Sequence, residues 1–165
     1  MAYGVFVSEN CSYTTDASKI RSAVNPDTVT QNGTAVTLSA LAAGERELWV
    51  AAKATASTKK DDIWVVTTPE LIYDESKRYT LADFYNGIND STTEKVPMRV
   101  CKLEKGDLFG ITKEVLSKVP TAGDGIKPAA DGTWTVATVT EASDFAKYVG
   151  VTTNNGLTYY TFEAL

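Results

Sequence analysis

The sequence predicts a mainly-β fold, a small β-barrel or β-sandwich with one short helix and an extended N-terminal segment. Three observations carry that expectation. Apolar residues alternate with polar ones over most of the chain, the period of a pleated strand with one buried face. The alternating runs are rich in Thr, Val, Tyr and Trp, which suit a half-buried pleated surface. The runs are separated by turn signals: Asn25-Pro26-Asp27, Gln31-Asn32-Gly33, Lys105-Gly106-Asp107, Asp131-Gly132 and Asn154-Asn155-Gly156. A chain of 165 residues, 43% apolar and 22% charged, suits one globular domain.

Taken in order, residues 1–34 are polar, with only Ile20, Val24 and Val29 as isolated apolar anchors after the first few residues. Such a segment buries little by itself, so it reads as an arm that crosses the domain surface or orders on a partner. Residues 35–165 read as a single β-rich domain. The pattern predicts strands over 3–7, 35–38, 47–53, 62–67, 98–103, 108–112, 134–140, 147–152 and 157–163. The stretch at 53–62, KATASTKKDD, reads as an exposed loop, and so does GDGIKPAADG at 123–132 because of its glycines and prolines. A short helix is predicted over 81–86, since Thr80 and Asp83 stand in the spacing of a capping box and Gly87 can end the helix. A second helical turn is predicted over 113–118, stopped by Pro120. Asn155-Gly156 supplies the positive φ angles of a tight hairpin between two Val/Thr/Tyr-rich runs.

The same composition excludes several kinds of chemistry. A formal charge of -5 and a pI near 4.8 oppose the phosphate neutralisation that nucleic-acid binding needs. No run approaches the roughly 20 apolar residues of a membrane helix. The opening MAYGVFVSENCSYTT has neither a basic region nor a sustained apolar one, so no secretory signal is expected and the Asn-x-Ser/Thr matches at Asn10, Asn32 and Asn89 read as chance. The chain has 0 histidines, which removes the commonest general base and transition-metal ligand. Its 2 cysteines, Cys11 and Cys101, cannot build a four-ligand zinc site and read as reduced, partly buried thiols, with a single bridge as the minority alternative. No phosphate-binding loop, dinucleotide fingerprint, nucleophile elbow or Ca²⁺ loop is present. Glu70 and Asp74, with Asp83 nearby, are the best carboxylates for glycoside hydrolysis, a reaction that ordinarily needs a larger scaffold. No enzymatic activity, cofactor or metal is therefore expected. Trp49, Trp64 and Trp134 each sit among β-formers and read as core.

The tripeptide Lys105-Gly106-Asp107 matches a short integrin-recognition signal, yet a turn accounts for every residue of it. Gly106 stands where a type I turn followed by a left-handed residue needs glycine. Gly106 and Asp107 are accordingly assigned to a structural turn, as are Asn155 and Gly156. On that reading Gly106→Val is costly and Asp107→Ala matters much less.

Residues 69–112, PELIYDESKRYTLADFYNGINDSTTEKVPMRVCKLEKGDLFGIT, combine a Pro-Glu-Leu entry, Tyr-Asp-Glu, a short Leu-Ala-Asp-Phe helix, an Arg-containing strand and a Leu-Glu-Lys-Gly-Asp turn. This block resembles the small capsid decoration, or auxiliary head, proteins of tailed bacteriophages, especially those infecting Gram-positive gut bacteria. The upstream NGTAVTLSALAAGERELWVA and the closing VGVTTNNGLTYYTFEAL are similar in style. The resemblance implies a protein made in the host bacterial cytoplasm that attaches to the outside of an assembled shell of major capsid protein and reinforces it. It implies no cofactor and no active site, and by analogy a homo-oligomer, with a trimer preferred. Tyr3, Val5 and Phe6 are the expected partner-binding anchors, against the reading in which Tyr3, Val5 and Val7 line the protein's own core. The reading from another class is a carbohydrate-binding or host-surface adhesion module displayed on a virion.

Overall fold

The computed structural model describes residues 4–68, 88–89, 97–140, 144–154 and 156–165. These form the strands β1 Phe6–Asn10, β2 Ile20–Val24, β3 Thr30–Gln31, β4 Ala35–Leu41, β5 Leu48–Lys53, β6 Trp64–Val66, β7 Ile88–Asn89, β8 Met98–Cys101, β9 Leu108–Ile111, β10 Asp124–Pro128, β11 Trp134–Thr138, β12 Ala146–Asn154 and β13 Leu157–Ala164. Single 3-10 turns lie at Ser12–Thr14, Ala17–Lys19, Lys60–Asp62 and Lys113–Val115. The fold is mainly β. Strands β2-β5-β4-β6-β8 close a small barrel, β1-β9-β13-β12-β10-β11 form a six-stranded sheet, and β3 pairs with β7.

Alternation along the barrel strands explains how the two bodies share a core. Met98 and Val100 of β8 and Val66 of β6 are buried with Ala23, Val36 and Ala51 in one cluster, the barrel interior. Small side chains at Ala23 and Ala51 suit so narrow a bore. The intervening Val65 and Cys101 join a second cluster with Phe109, Ile111, Ile126, Trp134 and Phe162 of the sheet. Both faces of β6 and β8 are thus covered, which is why WVV and MRVC are nearly continuous apolar runs. Trp134 has 0% exposure, stacks on Phe145 with ring centroids 5.0 Å apart, and donates its indole N–H to the Gly33 carbonyl at 2.6 Å. That bond ties the chain just before the barrel strand β4 to the edge of the sheet.

Two expectations are corrected. Residues 1–34 do not form a surface arm over their described length. β1 pairs antiparallel with β9 through Phe6↔Ile111 and Val7↔Gly110, and β2 closes the barrel between β5 and β8. Cys11 and Tyr13 lie in the main core, and the Tyr13 hydroxyl donates to Ser8 Oγ at 2.8 Å. The anchors are sparse because each strand completes a sheet whose other strands come from distant sequence.

The second correction concerns 123–132, read as a surface loop. Its DGIKP run is β10, an inner strand between β12 and β11, with Ile126 fully buried. Gly125 suits the crowding there, since a Cβ would stand 3.0 Å from Val139 Cγ2 and 3.1 Å from the Ala146 carbonyl oxygen, close enough that the neighbours would have to shift. The helical turn expected over 113–118 is a single 3-10 turn, and the helix expected over 81–86 lies outside the described residues.

Candidate functional site

The turn at 104–107 exposes Glu104, Lys105 and Gly106 and is fastened by its backbone and by the buried Asp107. The Asp107 amide donates to the Glu104 carbonyl at 3.0 Å, the Gly106 amide donates to the Ala164 carbonyl at 2.9 Å, and the Ala164 amide donates to the Asp107 carbonyl at 2.9 Å. Gly106 has φ 92°, and no heavy atom lies within 4 Å of where a Cβ would stand, so only backbone strain demands glycine. Asp107 is 6% exposed. Its carboxylate accepts from the Ser12 amide, the Ser12 hydroxyl and the Glu104 amide, each at 2.9 Å. The expectation that Asp107→Ala matters much less than Gly106→Val is therefore corrected: Asp107 fastens the N-terminal segment to the turn. Local sequence could not indicate this, because Ser12 lies 95 residues away.

Among the residues expected to anchor a partner, Tyr3 lies outside the described residues. Val5 is 5% exposed and its amide donates to Thr112 Oγ1 at 3.1 Å. Phe6 is half-buried, stacked on Phe109 at 5.7 Å between centroids. Both side chains are occupied by the domain's own core, as the competing expectation for Val5 had it.

Reactive groups are likewise inward-facing. Cys11 and Cys101 are free, buried thiols. Burial pushes each from 9.0 up to about 12, with the Asp107 carboxylate adding to the shift of Cys11, so both stay protonated at neutral pH. Among the described residues no group of three His, Cys, Asp or Glu side chains is arranged to hold a metal. Glu70, Asp74 and Asp83 lie outside the described residues.

Two surface features remain. The first is the hairpin of β12 and β13, in which Asn154 pairs with Leu157 around Gly156 at φ 78°; Asn155 lies outside the described residues. β10 pairs with β12 only at Ala146 and Lys147, and β9 pairs with β13 only from Tyr160 to Glu163. The rest of the hairpin therefore runs past its neighbours, and among the described residues no strand pairs with the outer side of β12 beyond Lys147. Val149, Val151 and Leu157 are 54%, 56% and 42% exposed. The Lys147–Glu163 ion pair, at 3.1 Å, marks the base, and no charged residue lies between them. Beyond Lys147 the edge carries no charge and no proline, two of the devices that ordinarily block pairing with another chain; a bulge at Tyr148–Gly150 interrupts its register with β13. The hairpin was legible in sequence; its projection was not, because it depends on how short the neighbouring strands are.

The second feature is the mouth of the barrel. Trp134 is core as expected, but Trp49 and Trp64 are only half-buried. The Arg21 guanidinium carbon lies 5.9 Å from the centroid of each of these two rings, and Lys102 Nζ lies 5.8 Å from that of Trp64. Beside Arg21 a cleft of about 420 Å³ is lined by Ser22, Leu41, Arg46, Glu47 and Trp49 among others. A larger cleft of about 860 Å³ shares Ser22, Arg46 and Glu47 with it and is walled by Val24, Val50, Leu48 and Pro97. No protein-family model, no curated protein and no solved structure matches this chain.

Proposed function

We propose that this chain is a virion structural protein that binds the exterior of an assembled phage capsid and reinforces it. Its partner on this reading is the major capsid protein, and it acts as a homo-oligomer, a trimer by analogy with the proteins that residues 69–112 resemble. The observation that carries the proposal is the projecting hairpin. A strand edge with which no described strand pairs beyond Lys147, flanked by exposed valines and free of charged side chains, suits docking on another protein surface. It does not suit catalysis. The net charge of -5 accords with a protein that sits outside a shell and has no cause to attract the packaged DNA. Contact through apolar and main-chain groups persists in moderate salt, unlike contact through exposed charges.

The test is co-sedimentation with purified capsids. The hairpin variants Val149→Asp and Val151→Asp should remain folded, since both side chains are exposed, and should lose most capsid binding. Undiminished binding of both variants refutes docking through the hairpin. A second reading, adhesion to host glycans, is favoured by one observation, the half-exposed tryptophans at the barrel mouth.

A further inference from the structure

We propose that the mouth of the barrel binds a carboxylate-bearing sugar, a uronic acid, with Arg21 gripping the carboxylate and Trp49 supporting the ring. The proposal rests on the glycan-binding reading and is independent of what the hairpin docks on.

The first ground is the state of Arg21. A guanidinium carries five N–H donors. Among the described residues the Arg21 side chain has neither a hydrogen bond nor an ion pair, whereas the side chains of Lys19, Lys118 and Lys147 each meet a carboxylate and that of Arg99 donates to the Thr67 carbonyl at 2.9 Å. What holds Arg21 is the pair of indoles. Contact with ring π-systems leaves the N–H groups available, and a planar guanidinium fork matches a carboxylate bidentately.

The second ground is position. Arg21 and Ala23 share the side of β2 that faces the barrel interior, so the backbone of a closed barrel sets the guanidinium at the rim. The site is thereby preorganised on strands, and the loss of side-chain freedom on binding is small.

The third ground is the cleft. Its volume of about 420 Å³ falls within the range of small-ligand sites. Its wall combines Trp49 and Leu41, 43% exposed, with the polar groups of Ser22, Arg46 and Glu47. An apolar wall beside donors and acceptors fits a sugar, which has apolar C–H faces and a hydroxylated rim. Glu47 selects against a multiply charged anion, and its carboxylate can accept from sugar hydroxyls. A ligand with one negative charge and several hydroxyls satisfies the whole lining; a phosphate or a neutral hexose leaves part of it unmet.

The experiment is a titration of the full chain followed by tryptophan emission and by ligand-observed NMR, with D-glucuronate, D-glucose, acetate and inorganic sulfate as separate probes. Glucuronate should bind at least tenfold more tightly than glucose, acetate or sulfate. Arg21→Gln and Arg21→Lys should each weaken glucuronate at least tenfold, the lysine variant because it keeps the charge and loses the fork. Arg46→Gln, at an exposed position, should leave the fold intact and weaken glucuronate binding several-fold. Sulfate matching glucuronate would leave a simple anion site and overturn the sugar assignment. Glucuronate no better than glucose and acetate, or unaffected by the Arg21 variants in folded protein, overturns the site altogether. Capsid binding that survives the Arg21 variants separates this outcome from that of the hairpin.

Discussion

Replacing Asp107 by alanine removes an acceptor that serves three donors joining two distant parts of the chain. The Ser12 amide and hydroxyl and the Glu104 amide each lie 2.9 Å from its oxygens, and the residue is 6% exposed. A hydrogen bond to a charged group contributes about 1.5–3 kcal/mol where water cannot replace it. These donors are only partly buried, so water recovers much of each bond, and we take about 1 kcal/mol apiece, a total of about 3 kcal/mol. A Cβ at Gly106 meets nothing within 4 Å, so Gly106→Val costs about 1–2 kcal/mol, chiefly left-handed strain. The order is thus the reverse of what the turn alone suggests. With a urea slope near 2 kcal/mol/M, Asp107→Ala should lower the denaturation midpoint by about 1.5 M and Gly106→Val by less than 1 M or so. Equilibrium urea unfolding followed by tryptophan emission measures both. An Asp107→Ala cost below about 0.5 kcal/mol, the range of neutral surface changes, refutes the anchoring role.

Deleting residues 1–14 removes β1 and the buried Cys11 and Tyr13, so circular dichroism should show loss of the native fold rather than a trimmed but intact domain. Alkaline pH should weaken the protein. Cys11, Cys101 and Tyr13 are all raised to about 12, chiefly by burial, so the folded state holds protons that the unfolded state releases from about pH 9 or 10. Their contribution is intact below pH 9 and is lost as pH climbs toward 12; Cys101→Ala should make the decline of unfolding free energy shallower, and an unchanged slope contradicts the burial. Trp134→Phe should cost about 2–3 kcal/mol, because it strands the Gly33 carbonyl and opens a cavity beside Phe145, as thermal unfolding would report.

What was legible in the sequence is what depends on local pattern. The alternation in β4, β5, β8, β9, β11 and β13 announced strands, and Asn155-Gly156 announced their last reversal. What was hidden depends on distant partners. β2 has two buried residues at its end and reads as polar until it is seen completing a barrel. β10 was masked by Gly125 and Pro128, residues that mark loops statistically yet here serve close packing and a strand terminus. Trp49 and Trp64 looked like Trp134 because strand context is the same for a tryptophan in the core and one at the open end of a barrel. Only closure of the strands distinguishes them. Arg21, between those rings, carries no motif and could not have been singled out.

The central claim is that this chain reinforces a shell that already exists. Binding only the assembled surface stabilises it by about RT ln(1 + [L]/Kd) per site, roughly 2.7 kcal/mol at a hundredfold excess over Kd, and the effect is summed over many sites. The direct measurement is the heat tolerance of purified, assembled capsids with and without saturating protein. The account predicts that saturated capsids withstand a higher temperature and that Val151→Asp protein leaves them as fragile as bare ones; equal tolerance at full occupancy contradicts it.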